Sequence, residues 1–128
     1  MINLIKRWKT QGQGDLITPN DKTIVFNLNY KNLLIGVLKL ENGIWSFQYS
    51  EDFKNQDRVK LLPDFPNVEK VYESKELYPF FLHRIPSQKQ PKVQKKIKEN
   101  HIDATNEAEL LRFFGKKSIS NPFLLQSV

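Results

Sequence analysis

Hydrophobic and polar residues alternate with a period of two in residues 23–30 and 44–49, and a largely apolar run, 33–40, lies between them. Alternation of this kind is typical of β-strands that bury one face and expose the other. Asn42-Gly43 supplies the positive φ angles of a tight hairpin turn between the last two stretches. Lys31-Asn32 is predicted to form the hairpin turn between the first two stretches. The pattern predicts a three-stranded antiparallel meander.

The second half of the chain has the spacing of helices. Pro91 stands at a favoured first position of a helix, and Asn100 is its predicted end. A second helix is predicted over residues 107–114. Asn106 is its N-cap and Gly115 closes it. The short link between the two helices predicts an antiparallel helical hairpin against the sheet.

Residues 71–86 are too apolar for a solvated loop and too rich in proline for a long helix or strand. Residues 68–72 are predicted to form a short strand. Pro79 predicts a short helix that ends before Pro86. A segment of this kind packs either into its own core or against another protein. The tail, 121–125, is apolar enough to dock onto the same domain.

These elements predict an α+β fold, in which a small antiparallel sheet carries short helices packed on one face. A length of 128 residues suits a single domain, which we place at residues 23–128. Residues 1–22 form an N-terminal extension. There, Ile2, Ile5 and Trp8 at three-residue spacing predict a short amphipathic helix. That helix either caps the core or serves as a partner-binding arm.

The composition excludes several classes of function. The chain has no cysteine, which rules out disulfides and thiolate metal sites and favours a cytosolic compartment. No apolar run approaches the roughly 20 residues that cross a bilayer, and residues 1–9 do not have the pattern of a secretory signal. The formal charge of +6 permits an acidic partner, although the basic residues are spread along the chain.

The sequence offers no group of residues matched for catalysis. The two histidines, His83 and His101, are separated along the chain and lack the spacing of a metal site. None of the five glycines forms a phosphate-binding loop. Asp52, Asp57 and Asp64 lie in irregular chain, which is typical of solvated turns. We therefore expect neither an enzyme nor a bound metal or cofactor.

Lys92, Lys95 and Lys96, on the helix predicted after Pro91, indicate an alternative function. A basic helix can contact the phosphates of nucleic acid, and each contact increases the salt dependence of binding. Apart from Gln94, these lysines have no neighbouring side chains that read base edges. The lysines form either a solvated helix face or a nucleic-acid-binding site.

Two groups of motifs resemble the N-terminal subdomain 1 of the HipA-type toxin kinases. In the first, Gly36-Val37-Leu38 leads through the Asn-Gly turn into residues 45–50, which is similar to the G-x-L and F-x-Y strands of that subdomain. In the second, Leu61-Leu62-Pro63 precedes residues 77–86, which is similar to its L-P and P-F-F-x-x-L-x-P segments. The resemblance covers roughly residues 23–86.

The resemblance implies a specific partner. In three-gene HipBST systems, a small free-standing protein, HipS, supplies this subdomain in trans and inhibits a HipT-like serine/threonine kinase that lacks it. A HipB-like DNA-binding protein is a candidate second partner. Residues 87–128 lie outside the part shared with the fused kinases. The alternatives are a nucleic-acid-binding protein, or a structural subunit of a kinase–repressor complex that does not itself inhibit.

The resemblance also implies where the partner binds. The position of Tyr78 often holds tryptophan in relatives, and an aromatic residue from this region reaches toward the kinase active site. Binding energy at interfaces concentrates in a few aromatic and arginine side chains. The predicted partner-binding residues are Tyr78, Phe81, His83 and Arg84. Phe80 and Ile85 are expected to anchor the segment to its own sheet.

Overall fold

The computed structural model describes residues 16–128, so the helix predicted at residues 1–9 lies outside the described residues. In the described part, one antiparallel sheet contains β1 (Ile24–Tyr30), β2 (Leu33–Glu41), β3 (Ile44–Tyr49), β4 (Tyr72–Ser74) and β5 (Leu124–Ser127). The strands lie in the order β4-β3-β2-β1-β5.

The predicted meander is confirmed by β1, β2 and β3. In β1–β2, Phe26 pairs with Leu38, and in β2–β3, Leu38 pairs with Phe47. Asn42 and Gly43 have φ angles of 53° and 78°. Both values lie in the left-handed region that a type I′ hairpin turn requires. The Asn42-Gly43 turn therefore sets the register of β2 and β3, whereas the register of β1 and β2 shifts by one residue between Leu28 and Asn29.

Two further strands extend the sheet beyond the predicted three. β4 pairs with β3, where Phe47 lies opposite Tyr72. The strand predicted for residues 68–72 overlaps β4 only at Tyr72. β5 pairs with β1, where Leu28 lies opposite Leu125. The tail therefore docks by adding a strand to the free edge of β1. Such a long-range pairing leaves no local pattern in the sequence.

The helices are α1 (Glu51–Lys54), α2 (Pro79–Leu82), α3 (Pro91–Glu99) and α4 (Glu107–Phe114). Asn106 is the N-cap of α4, because its Oδ1 accepts a hydrogen bond from the backbone N–H of Glu109 at 3.1 Å. Asn100 is the C-cap of α3. The predicted bounds of α3 and α4 are thus confirmed at both ends.

The core lies on one face of the sheet. The buried hydrophobic residues of the strands are Phe26, Leu28, Ile35, Leu38, Leu40, Trp45, Phe47, Tyr49 and Leu125. The residues of the opposite face, which are half-buried or exposed, include Val37, Lys39, Ile44, Ser46 and Gln48. Buried residues of α3 and α4, such as Val93 and Leu111, complete the core. The predicted α+β fold with helices on one face is confirmed.

Gly36 allows two strands to approach closely. A Cβ atom at this position would lie 2.6 Å from the backbone oxygen of Gln48 and 2.6 Å from the Phe47 ring. Only glycine fits there without a shift of the strands.

The first described residues pack along the start of α4. Leu16 is buried in the core. The backbone N–H of Ile17 donates to the carbonyl of Thr105 at 2.7 Å, and the N–H of Glu107 donates to the carbonyl of Ile17 at 3.0 Å. Within residues 16–128, no helix combines the length and the apolar character needed to span a membrane.

Candidate partner-binding surface

The aromatic segment, residues 72–86, is held against the domain at both of its turns. Ser74 Oγ accepts a hydrogen bond from the N–H of Glu76 at 3.0 Å and so closes the turn after β4. Asp64 Oδ2 accepts from the N–H of Phe80 at 2.8 Å, at the first turn of α2. Asp64 therefore fixes the start of α2 and is not the solvated turn residue that the sequence suggests.

Tyr78 is buried, with 9% of its surface exposed. Its hydroxyl donates to the carbonyl of Trp45 at 3.3 Å, and its ring meets the Phe65 ring edge-on at 4.9 Å. Burial raises the pKa of the Tyr78 hydroxyl, which stays neutral. The Tyr78 hydroxyl is bonded inside the domain, and partner contact by Tyr78 stays a prediction.

Phe81 has no exposed surface. Its ring lies 5.8 Å from the Phe47 ring and 6.1 Å from the Phe65 ring, at the centre of an aromatic cluster beneath the sheet. The Phe81 side chain faces inward together with Leu82, which is also fully buried. Partner contact by Phe81 stays a prediction.

Arg84 is a buried cation with 4% of its surface exposed. One guanidinium nitrogen, Nη1, donates to the carbonyls of Gly115 at 2.8 Å and Lys116 at 3.2 Å. The other, Nη2, donates to Asn121 Oδ1 at 2.9 Å and to the carbonyl of Phe123 at 3.0 Å. Arg84 therefore joins the end of α4 to the chain that leads into β5.

Burial lowers the pKa of the Arg84 guanidinium to about 10, so the group remains charged at neutral pH. The positive charge lies at the carbonyl end of α4, where the helix dipole favours a cation. The polar atoms of Arg84 bind the domain itself, and partner contact by Arg84 stays a prediction.

His83 is the exposed member of the four predicted partner-binding residues. It is the C-cap of α2, and its backbone N–H donates to the carbonyl of Pro79 at 3.1 Å. Its imidazole remains accessible beside buried neighbours. Ile85 is buried, as expected of an anchor. Partner contact by His83 stays a prediction.

Three half-buried rings form a row on the surface next to α2, and we call them the aromatic row: Phe80, Phe123 and Tyr30. The Phe80 and Phe123 rings are 6.1 Å apart, and the Phe123 and Tyr30 rings are 5.9 Å apart. The guanidinium of Arg84 lies 5.9 Å from the Phe80 ring centroid. The sequence did not identify Tyr30 or Phe123, because the row forms only when the tail adds a strand beside β1.

The lysines of the alternative site are exposed on α3. Lys95 lies 4.0 Å from Glu99, which is a weak pair in water. Lys92 and Lys96 make no ion pair with another described residue. Nor do residues 16–128 contain a group of three or more His, Cys, Asp or Glu side chains placed to hold a metal.

The family model described as the HipA N-terminal domain matches residues 26–119. No curated protein matches the chain. The match extends beyond residue 86, so α3 and α4 belong to the shared domain. This corrects the expectation for residues 87–119, whereas residues 120–128 lie outside the match. The match is consistent with a component of HipA-type toxin–antitoxin systems. The chain belongs to the HipA N-terminal domain family.

Proposed function

We propose that this chain is a HipS-like binding protein rather than an enzyme, and that it binds and inhibits a HipT-like serine/threonine kinase in a three-component toxin–antitoxin system. Membership of the HipA N-terminal domain family, through the match over residues 26–119, carries this proposal. Membership of this family suggests that the chain associates with a HipA-type kinase. A HipB-like DNA-binding protein is proposed as the second partner.

The aromatic row supports a protein partner. Partly exposed aromatic residues and arginine are enriched at protein–protein interfaces. Phe80 and Phe123 present partly exposed ring surface, and His83 is exposed on the same short helix as Phe80. Buried Arg84 lies 5.9 Å from the Phe80 ring centroid and bonds the tail at Asn121 and Phe123. The row and His83 therefore replace Tyr78, Phe81 and Arg84 as the proposed contact surface.

Co-purification with a HipT-like kinase tests the surface. We expect Phe80→Ala and Phe123→Ala to weaken kinase binding about 30-fold or more, the effect of losing an interface anchor. The matched control is Phe113→Ala, because Phe113 is 42% exposed and lies on α4, outside the row. Equal binding by all three variants, each checked for folding, would remove the row from the interface.

A kinase assay on the purified complex separates inhibition from a purely structural role. An inhibitor suppresses substrate phosphorylation by the kinase when it is added in stoichiometric amount. A subunit that only stabilises the kinase, or joins it to a repressor, leaves phosphorylation unchanged in the same complex.

The exposed lysines of α3 give a second candidate function, binding to nucleic acid. Its supporting observation is that Lys92 and Lys96 point to solvent without an ion-pair partner among the described residues. A titration with duplex DNA at low and high salt tests it, because phosphate contacts weaken steeply as salt rises. Absence of binding at low salt would eliminate this function.

A further inference from the structure

A groove lies beside the turn between β1 and β2, next to the aromatic row. We call it the turn groove. Its lining residues are Tyr30, Lys31, Asn32, Leu33, Arg58 and Val59. Tyr30 belongs both to the aromatic row and to the groove, so the two features form one continuous surface.

The turn groove combines apolar side chains with unpaired positive charge. Leu33, Val59 and the Tyr30 ring are half-buried and supply the apolar part. Lys31 and Arg58 are exposed, and neither makes an ion pair with a described residue. The lining contains no carboxylate. The groove therefore attracts a negatively charged group that also offers an apolar side chain.

The wall that carries Arg58 is fixed before any partner arrives. Gln56 Oε1 accepts from the backbone N–H of Val59 at 2.8 Å, and Gln56 Nε2 donates to the carbonyl of Val59 at 3.1 Å. These two hydrogen bonds close the loop around Arg58. A groove held in this way loses little conformational entropy when a ligand binds.

Lys31 occupies a backbone position that would suit glycine better. Its φ angle is 54°, in the left-handed region that a side chain with a Cβ disfavours. In two-residue hairpin turns, a positive φ at the first position is usually taken by glycine, aspartate or asparagine. The lysine ammonium lies 5.4 Å from the Tyr30 ring centroid, at the edge of the groove. A cation is thus placed at the groove despite the local backbone cost.

We propose that the turn groove is the docking site for an acidic segment of the partner kinase, one that carries Asp or Glu beside an apolar side chain. This inference rests on the proposed function and adds to it the chemistry of the recognised segment. A peptide segment fits better than nucleic acid, because half of the lining is apolar and the groove has two cations rather than a row of phosphate-binding groups.

Charge reversal tests the groove in the full chain with a HipT-like kinase. We expect Lys31→Glu/Arg58→Glu to weaken kinase binding at least tenfold at about 0.05 M salt, and the difference from wild type to shrink at about 0.5 M salt. The matched control is Lys92→Glu/Lys96→Glu, which makes the same change of charge on α3. It is expected to bind within about threefold of wild type.

Lys31→Gly adds a second test, which distinguishes a partner contact by Lys31 from a purely structural role. This change relieves the left-handed φ angle, so stability to urea should be unchanged or higher. Kinase binding should nevertheless fall severalfold. A variant that binds the kinase more weakly but is more stable would show that the Lys31 side chain contacts the kinase.

The outcomes separate the two proposals. If the wild-type chain binds the kinase and the Lys31→Glu/Arg58→Glu variant binds it equally well, the groove is not the docking site. The proposed function is unaffected by that result. Absence of kinase binding by the wild-type chain overturns the proposed function and the named occupant with it. If duplex DNA displaces the kinase from the wild-type chain and binds the Lys31→Glu/Arg58→Glu variant more weakly, the groove binds phosphate rather than an acidic peptide.

Discussion

Replacing Arg84 with methionine keeps the apolar stem of the side chain and removes its charge and all four of its hydrogen bonds. Hydrogen bonds from a charged donor contribute about 1.5–3 kcal/mol each. The bond to Gly115 is fully buried, whereas water can reach the acceptors of the other three in part. The variant also avoids the cost of burying a charge. We expect a net loss of about 3–5 kcal/mol in the free energy of unfolding.

A loss of this size is a large share of the roughly 5–15 kcal/mol that stabilises a typical domain. Urea unfolding followed by the fluorescence of buried Trp45 measures it. Arg112→Met is the matched control, since Arg112 is exposed and pairs with Glu109 on the surface of α4. That control should change stability by less than about 1 kcal/mol.

One result would refute the reasoning. If Arg84→Met unfolds at the same urea concentration as wild type but loses kinase binding, Arg84 acts at the interface, as the sequence alone suggests. The hydrogen bonds from Arg84 to Gly115 and Phe123 would then contribute little to holding the tail on the domain. The expected result is the opposite: lower stability, with kinase binding lost only in proportion to the unfolded fraction.

Three further changes test the core and the helix caps. Burial raises the pKa of the Tyr49 hydroxyl from 10.0 to about 12, so this group ionises at lower pH in the unfolded chain than in the folded one. The free energy of unfolding should therefore fall by about 2 kcal/mol as pH rises from 10 to 12. Tyr49→Phe should remove that part of the pH slope in urea titrations, and an unchanged slope would contradict the assignment. Gly36→Ala should cost about 1–3 kcal/mol in urea, because its Cβ would overlap the oxygen of Gln48. Asn106→Ala should lower the melting temperature by the equivalent of about 1 kcal/mol, and no change would show that the cap is dispensable.

The elements that the sequence predicts well are those whose signals lie within a few residues. Asn42-Gly43 specifies its hairpin because both residues accept positive φ angles. Asn106 specifies the start of α4 because its side chain bonds a backbone N–H three residues away. The alternation in β3 predicts its buried face correctly, from Trp45 to Tyr49. Each of these signals acts locally, so a pattern along the chain contains it.

The sequence located the aromatic segment along the chain but not the direction in which its side chains face. The sequence locates an aromatic segment around Pro79 and assigns its polar and aromatic residues to a partner. In the structure, Phe81 and Arg84 turn inward, and His83 alone of the predicted four is exposed. A four-residue helix is too short for its spacing to show which side faces the core.

The sequence by itself determined the α+β class, the central meander and the two long helices, because turn, cap and alternation signals are local. Only the tertiary structure decided which aromatic residues reach the surface. The tail pairs with β1 across most of the chain length, which places Phe123 between Tyr30 and Phe80. The acceptors of Arg84 likewise lie more than thirty residues away, from Gly115 to Phe123. Contacts at that separation depend on how the whole chain packs, and no short stretch of sequence encodes them.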